Sequence, residues 1–319
     1  MSRPEQACPL WRSHRIGLLT HLLLLLLITS CSTQEKSSDT LAVLSANTLR
    51  PTQLFIPASY HDGRPAPLLI LLHGFGLDGR LQDAYLHIKP AALERGYLYA
   101  HPNGTRDAGG SRFWNSGEAC CNFFNASVDD AAYITELVNE AKERFKVDPE
   151  RVFLVGYSNG GFLAHKLACD QADTFAAIVS IAGSMDSYNS PCMVNGRVSV
   201  LQVHGTLDLT ILYSGGMLAG SQYKGAMDTA ETWAARNGCQ SPPEKAPNID
   251  LEAGIAGRET GVYQWRKGCD SGAHVELWKI NAASHAPLFN KQFTGALLDF
   301  LDDNIAAKGT TLWGGPGNQ

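Results

Sequence analysis

The sequence of 319 residues lacks the cysteine and histidine spacings that hold metal ions, since it contains no CxxC pair and no HExxH motif. It also has no internal repeat and no stripe of basic residues interleaved with aromatic ones, and its formal net charge is −5 at pH 7. These absences argue against a repeat architecture and against a DNA- or RNA-binding protein. We therefore expect no metal and no nucleic-acid partner.

The apolar stretch at residues 16–28 is too short to span a bilayer comfortably. It follows a basic start and precedes small residues, which is typical of an export signal. The letters ITSC end in Cys31 and resemble a bacterial lipobox, so we expect cleavage after Ser30 and an N-terminal lipid anchor in the cell envelope. An ordinary cleaved signal, and hence an extracellular protein, is the alternative. Residues 31–47 are expected to form a polar tether.

Six cysteines remain outside the signal and the lipid site, and an even number in an exported chain predicts disulfides. Cys239 and Cys269 flank a long segment and are the favoured pair. Cys120 and Cys121 are expected to reach two different partners, because an ordinary disulfide needs Cα atoms farther apart than those of neighbours. The six are Cys120, Cys121, Cys169, Cys192, Cys239 and Cys269.

Short apolar runs alternate with amphipathic stretches along the rest of the chain. PAPLLILLH, VFLV, FAAIVSIAG, VSVLQVHG and HVELWKI predict buried strands, whereas AAYITELVNEAKERF predicts a helix. This alternation indicates an α/β fold with a mostly parallel sheet and helices on both faces. We expect one domain over residues 48–308 and a Gly-rich tail at 309–319. Residues 212–270 predict a helix and surface loops inserted before the last strand.

The pentapeptide GYSNG matches the GxSxG pattern and lies between the strand VFLV and a predicted helix. A serine at such a sharp turn occupies a strained backbone conformation, and its neighbours have no room for a Cβ, which explains the flanking glycines. The turn predicts Ser158 as a nucleophile. It also places the backbone N–H of Asn159 at a helix N-terminus, aimed at an oxyanion.

A serine nucleophile needs a base and an acid, which follow it along the chain in this fold class. Asp208 comes just after the strand VSVLQVHG, and His285 lies in a small-residue loop after the last predicted strand. We therefore predict Asp208 as the acid and His285 as the base, with Asp186 as the alternative acid. Other histidines fit less well, since they end a strand before glycine, lie within the helix after the nucleophile or precede a strand. They are His73, His204, His165 and His274.

The loop that follows the strand LLILLH allows two interpretations. Gly74, Gly76 and Gly79 spell GxGxxG, which is typical of a dinucleotide cradle, but HGFG is also how ester hydrolases present a backbone N–H to an oxyanion. A dinucleotide site needs an acidic residue at the end of the next strand, and YLYAHPNG ends in histidine and proline. We therefore expect no cofactor and assign the Phe75 N–H as the second oxyanion donor.

The stretches HGFG, WNSGEACC, VDDAAY, GYSNGG and HGTLD, in this order, resemble the exported α/β-hydrolases of the polyhydroxybutyrate depolymerase-like and feruloyl esterase-like family. The resemblance implies an α/β-hydrolase fold, a catalytic triad of Ser158, Asp208 and His285, and a position near the substrate for Trp114. A plain packing role is the alternative for Trp114. The base loop is ASHAPLF and not the Gly-Gly-His-like loop of many members, and no separate polymer-binding domain follows, which argues against degradation of solid polyester.

The sequence thus predicts an exported serine esterase that forms an acyl-enzyme with short-chain hydroxyalkanoate or hydroxycinnamoyl esters. One alternative is a serine peptidase of the prolyl-oligopeptidase type, which shares the GxSxGG turn but normally adds a large gating domain. Another is a noncatalytic, surface-binding lipoprotein that has kept the hydrolase fold. Between Gly183 and Val198 there is no room for a substantial apolar lid, so we expect an open cleft.

Overall fold

The computed structural model describes residues 39–186, 196–218 and 220–305. The predicted signal peptide, Cys31, Cys192 and the Gly-rich tail lie outside these ranges. The strands are β1 (Thr40–Leu44), β2 (Thr52–Ile56), β3 (Ala66–Leu72), β4 (Leu98–Ala100), β5 (Thr105–Arg106), β6 (Arg112–Phe113), β7 (Val147–Tyr157), β8 (Ala177–Ile181), β9 (Ser199–Gly205), β10 (Gly215–Leu218), β11 (Ser221–Lys224), β12 (Glu244–Ile249), β13 (Thr260–Trp265) and β14 (Val275–Ile280). The helices are α1 (Gly79–Leu86), α2 (Ile88–Glu94), α3 (Asp130–Arg144), α4 (Asn159–Asp170), α5 (Ala226–Arg236) and α6 (Lys291–Asp303), with a 3₁₀ turn at Asp270–Gly272.

One large sheet organises the domain, with the strand order β1-β2-β4-β3-β7-β8-β9-β14-β13-β12. The central strands from β4 to β14 run parallel, and antiparallel strands extend both edges. Every residue of β3 and of β9 is buried, as expected of strands covered on both faces. The predicted α/β class with a mostly parallel sheet is confirmed.

Alternate side chains of β3 enter two separate cores. Leu68 and Ile70 pack in the core that contains the buried faces of α3, α4 and α5. Leu69 and Leu71 pack in the core formed with α1, α2 and α6. Each fully buried leucine contributes about 1.5–3 kcal/mol before the loss of chain entropy is deducted. None of the helices described in these ranges is both long and apolar enough to cross a membrane.

The predicted tether extends too far into the folded domain. Thr40–Leu44 forms the edge strand β1, which pairs antiparallel with β2. Leu44 is buried in the core, whereas Leu41 and Val43 are exposed. The error has a physical cause. An edge strand with one solvent-facing side needs few apolar residues, so its sequence is hard to distinguish from that of a polar tether beside it.

The prediction for residues 212–270 is wrong in part. The helix α5 is present, but β12 and β13 are strands of the main sheet and not surface loops. They continue the sheet antiparallel beyond β14, and Val262 and Trp265 of β13 are buried. The sequence EKAPNI of β12 contains a proline and charged residues, a composition that edge strands tolerate and that therefore predicts a strand poorly.

The structure joins Cys239 at the end of α5 to Cys269 before the 3₁₀ turn, the pair favoured from the sequence. It contradicts the expectation for Cys120 and Cys121, which are bonded to each other. Their peptide bond is cis and their Cα atoms are 3.2 Å apart, so this link does not use the wider Cα separation of an ordinary disulfide. Cys169 is also disulfide-bonded.

Candidate active site

The turn between β7 and α4 places Ser158 above the carboxyl edge of the sheet. Its backbone has φ 51° and ψ −117°, a conformation that L residues rarely adopt. A Cβ added at Gly156 would overlap the Gly160 carbonyl group, and one added at Gly160 would overlap the carbonyl oxygen of Leu72 at the end of β3. The two glycines therefore allow the turn and the neighbouring strand to approach backbone to backbone.

The structure brings three of the predicted site residues into one hydrogen-bonded row. The Oγ of Ser158 lies 3.1 Å from Nε2 of His285, and Nδ1 of His285 lies 2.7 Å from Oδ2 of Asp208. The Ser158 hydroxyl can donate to Nε2 when the proton of His285 is on Nδ1, which donates to the carboxylate. The side chain of Asp208 is fully buried and that of His285 is 21% exposed, so the row runs from the interior towards solvent.

The acid loop, residues 205–211, stabilises the ionised form of the Asp208 carboxyl group. Its Oδ1 accepts the backbone N–H groups of Thr210 and Ile211, both at 2.8 Å. Burial by itself raises the pKa of Asp208, but hydrogen bonds from His204 and His285 outweigh burial and hold the pKa well below its usual range. The acid is therefore a carboxylate at every pH at which His285 is able to act as a base.

The base loop, residues 281–290, is held against the acid loop. The Leu207 N–H donates to the Ala283 carbonyl group at 2.9 Å, and a Cβ at Gly205 would overlap that same oxygen. On the other side, the Tyr157 hydroxyl donates to the carbonyl oxygen of His285 at 2.9 Å. The sequence analysis missed Tyr157 as a support of the base, although it is the residue just before the nucleophile.

The inserted strands also support the base loop. Glu252, in the connection between β12 and β13, is buried and accepts the Leu288 N–H at 2.8 Å. The neighbouring Ala253 N–H donates to the Leu288 carbonyl group at 2.7 Å. The edge of the sheet that the sequence analysis assigned to surface loops therefore fixes the position of the segment that carries His285.

The backbone N–H of Phe75 lies between two hydrogen-bonded N–H groups in the loop after β3. The Gly74 N–H donates to the side chain of Gln82 at 3.1 Å, and the Gly76 N–H donates to the Arg112 carbonyl group at 2.8 Å. Between them, the Phe75 N–H has no hydrogen-bond acceptor in the part of the chain that the structure describes. The loop is thus fixed on both sides of the N–H that is predicted to bind an oxyanion.

This loop lies directly beside the nucleophile. A Cβ built on Gly74 would be 3.5 Å from the Cβ of Ser158 and 2.9 Å from the ring of Tyr157. Asn159 is the first residue of α4, where backbone N–H groups have no acceptor within the helix. The Phe75 and Asn159 N–H groups are therefore candidates for oxyanion donors beside the nucleophile.

The structure favours the packing role for Trp114, which the sequence left open as the alternative to a position near the substrate. Its side chain is fully buried, and its indole N–H donates to the His73 carbonyl group at 2.9 Å. Its own backbone N–H donates to Oδ1 of Asn159 at 2.7 Å, and its carbonyl group accepts from Nδ2 of Asn159 at 2.9 Å. The aromatic ring that suggested a substrate contact therefore packs between the segments that carry the two predicted oxyanion donors.

The alternative acid Asp186 lies away from His285. It accepts the backbone N–H groups of Glu118 and Ala119, at 3.2 and 3.3 Å. Burial raises the pKa of Asp186 despite these hydrogen bonds. It lines a cavity of about 350 Å³ together with Phe162, and no triad residue lines that cavity. Geometry thus favours Asp208 over Asp186 as the partner of the base.

Within the described ranges, no cluster of three or more His, Cys, Asp or Glu residues is arranged to hold a metal ion. The third glycine of the GxGxxG pattern has a packing role. A Cβ on Gly79 would overlap the backbone of His101, and the Gly79 N–H donates to the Asn103 side chain at 2.9 Å. Close packing at the start of α1 therefore accounts for Gly79.

The two carboxylates provide a matched test of the triad. Replacing Asp208 with Asn removes the charge and the acceptor that fix the His285 tautomer, so the rate at which an organophosphonate labels Ser158 should fall about a thousandfold or more. Asp186→Asn changes a half-buried carboxylate of another cavity and should leave the labelling rate within about twofold. Mass spectrometry of the labelled protein gives both rates. A slow Asp186→Asn protein and a fast Asp208→Asn protein would show that the acid is misassigned.

Comparison with known proteins shows similarity to esterases. A model described as the prolyl oligopeptidase family matches residues 85–195. Feruloyl esterase B of Piromyces equi is 26% identical over 238 residues, which cover 72% of this chain and 41% of that protein. Feruloyl esterase D of Neurospora crassa is 25% identical over 245 residues, which cover 73% of this chain and 72% of that protein. The chain spans about two fifths of the length of feruloyl esterase B and of a putative esterase of Nocardia uniformis.

A solved structure with the same architecture is an acetyl xylan esterase from Aspergillus awamori, with a TM-score of 0.58 over 83% of this chain and 99% of that chain. The sequence identity is 14%, so this likeness bears on the fold alone. Together with the strand order, it confirms the predicted fold, while the sequence relatives confirm the predicted resemblance to feruloyl esterases. The chain therefore has the α/β-hydrolase fold and resembles feruloyl esterases in sequence.

Proposed function

We propose that this protein is a serine carboxylic ester hydrolase with Ser158 as nucleophile, His285 as base and Asp208 as acid. The observation that carries the proposal is the continuous row of hydrogen bonds of 3.1 and 2.7 Å through His285. Two backbone N–H groups beside the nucleophile support it, and so does the similarity to proteins named feruloyl esterase.

Acylation begins when Oγ of Ser158 attacks the carbonyl carbon of the ester and His285 Nε2 takes the hydroxyl proton. The negative charge that forms on the carbonyl oxygen accepts hydrogen bonds from the N–H groups of Phe75 and Asn159. The carbon–oxygen bond to the alcohol then breaks, and the protonated His285 gives its proton to the leaving oxygen. The products of this half-reaction are the free alcohol and an acyl ester of Ser158.

Deacylation repeats these steps with water. His285 takes a proton from water as the oxygen adds to the acyl carbon, and the same two N–H groups stabilise the oxyanion. The bond to Oγ of Ser158 then breaks, His285 returns a proton to Oγ, and the carboxylic acid leaves. Asp208 keeps its negative charge throughout and stabilises the imidazolium form of His285. Because the pKa of Asp208 is held well below its usual range, the acid keeps this charge at neutral pH.

We propose short-chain hydroxyalkanoate or hydroxycinnamoyl esters as substrates. Phe75, whose backbone N–H is a proposed oxyanion donor, contacts Phe123 edge to face with ring centroids 5.2 Å apart, and both rings are exposed. Leu207 and Leu288, near the acid and the base in sequence, are exposed as well. These surfaces offer apolar contact to an aromatic or short acyl group. They do not enclose the apolar area that a long fatty chain needs for tight binding.

The family match over residues 85–195 favours a second candidate, a serine peptidase of the prolyl oligopeptidase type. The same triad chemistry cleaves an amide when the leaving amine receives the proton. Ester and peptide substrates therefore separate the two candidates.

The proposed nucleophile is tested by Ser158→Ala. The hydroxyl forms the covalent bond and the change is small, so hydrolysis of p-nitrophenyl acetate should fall by about 10⁴-fold or more while circular dichroism stays unchanged. The matched control is Ser214→Ala, at an exposed serine, and should keep full activity. The wild type should leave a prolyl p-nitroanilide intact. Rapid cleavage of the anilide without ester hydrolysis would favour the peptidase instead.

The substrate class is tested by a series of p-nitrophenyl esters from acetate to palmitate together with methyl ferulate. We expect the highest kcat/KM at short chains or at methyl ferulate, and no increase in rate on emulsified triolein. In Phe123→Ala, loss of the exposed ring should lower kcat/KM for methyl ferulate about threefold to tenfold and change that for acetate less. A maximum at palmitate, or activation at an oil interface, would contradict the open cleft.

We also propose that the protein is exported and anchored through a lipid on Cys31. The disulfides among the described residues fit an oxidising compartment. In a bacterial host, the wild type and a Cys8→Ser control should incorporate labelled fatty acid and fractionate with membranes, whereas Cys31→Ser should do neither. Continued labelling of Cys31→Ser would refute the lipid site.

A further inference from the structure

A row of buried polar side chains lies behind Asp208, and the reaction as written does not use it. Trp233 on α5 and His165 on α4 belong to this row, as do Gln202 and His204 on β9, and each is at most 2% exposed. The indole nitrogen of Trp233 is 3.0 Å from Nδ1 of His165, whose Nε2 is 2.9 Å from Oε1 of Gln202. The Gln202 amide nitrogen is 3.3 Å from Nδ1 of His204. The row thus connects two helices to the strand that leads into the acid loop.

Hydrogen-bond chemistry gives this row a single direction. An indole N–H only donates, so Nδ1 of His165 accepts and the proton of His165 is on Nε2. That N–H donates to Oε1 of Gln202, which orients the Gln202 amide group. The amide nitrogen then donates to the Gly183 carbonyl group at 2.8 Å and to Nδ1 of His204. His204 therefore carries its proton on Nε2.

The Nε2–H of His204 contacts the acid loop at two points. It lies 2.7 Å from the Ile211 carbonyl oxygen and 3.2 Å from Oδ2 of Asp208. Oδ2 is also the oxygen that accepts from His285, and the Ile211 N–H holds the other oxygen, Oδ1. One imidazole therefore contacts the carboxylate directly and also the residue that fixes its orientation.

We propose that His204 is a positioning residue of the triad: as a neutral imidazole with its proton on Nε2, it holds Asp208 in the orientation that His285 requires, and the row from Trp233 fixes that tautomer. This inference rests on the proposed esterase function, because it concerns the same acid. The sequence does not indicate this role of His204, since a histidine at the end of a strand does not reveal its partners.

The groups around His204 and Asp208 favour an uncharged row. Burial lowers the pKa of His165 to about 4 against the opposing hydrogen bond to Gln202, so this end of the row is neutral at ordinary pH. Loss of the His204 N–H would concentrate negative charge on Oδ2 and stabilise protonated His285. The titratable groups that face His204 and Asp208 are His285, Tyr157 at the end of β7, Tyr213, His165 and Lys279 on β14. Lys279 pairs in register with His204, and its ammonium group lies over the Tyr213 ring.

The test compares His204→Phe with His204→Gln, using p-nitrophenyl acetate and rates normalised to active sites titrated with an organophosphonate. Phe keeps the ring volume but leaves buried polar groups unpaired, so kcat should fall about tenfold to a hundredfold with KM within about twofold. The acid limb of kcat/KM should move to higher pH, because the pKa of His285 rises. Gln restores a donor N–H and should recover most of kcat. His61→Phe, at an exposed histidine, is the matched control and should match the wild type.

A purely structural role predicts a different pattern. The organophosphonate would then label a smaller fraction of His204→Phe molecules, the acid limb of their kcat/KM profile would stay unchanged, and His204→Gln would be no more active than His204→Phe. That pattern would overturn the inference while leaving the esterase intact. A wild type that hydrolyses no ester would overturn the proposed function instead. Nitrogen-15 NMR of histidine-labelled wild type decides the tautomer even if His204→Phe does not fold. We expect a protonated Nε2 and an unprotonated Nδ1 at neutral pH, and a charged or Nδ1-protonated His204 would refute the inference.

Discussion

The close approach of backbone to backbone at the nucleophile turn is the constraint on which the site depends. No side chain fits between Gly160 and the end of β3, so the turn that carries Ser158 and the loop that carries Phe75 are pressed together. The left-handed backbone of Ser158 costs about 1–3 kcal/mol, which the buried strands on either side offset. A bulkier residue at Gly160 would push the turn that carries Ser158 away from the loop that carries Phe75.

The parallel sheet explains why distant residues meet at this turn. Strands β3, β7, β9 and β14 run in the same direction, so the segments that follow them emerge at one edge. Those segments carry Phe75, Ser158, Asp208 and His285. Strand order brings these segments close together, and buried hydrogen bonds then fix the orientation of their side chains. The orientation matters because a carboxylate in the wrong orientation cannot select the His285 tautomer.

Much of this arrangement is readable from the sequence because it rests on short-range rules. Uniformly apolar runs indicate buried parallel strands, and GYSNG and HGTLD place a nucleophile and an acid at their ends. Edge strands such as β1 and β12 are missed because exposure removes the apolar pattern. The sequence leaves the role of Trp114 open, because an aromatic residue gives the same sequence signal whether its ring faces a ligand or the core.

The partners of side chains are the least predictable part, because they depend on three-dimensional proximity between segments far apart in the chain. Glu252 and Leu288 are 36 residues apart, and nothing in either stretch indicates that they share a hydrogen bond. That contact also ties the base loop to the antiparallel edge of the sheet, where β12 is largely exposed. Peripheral strands open at lower free energy than a buried core. On warming, the protein would therefore lose the position of His285 before its secondary structure melts.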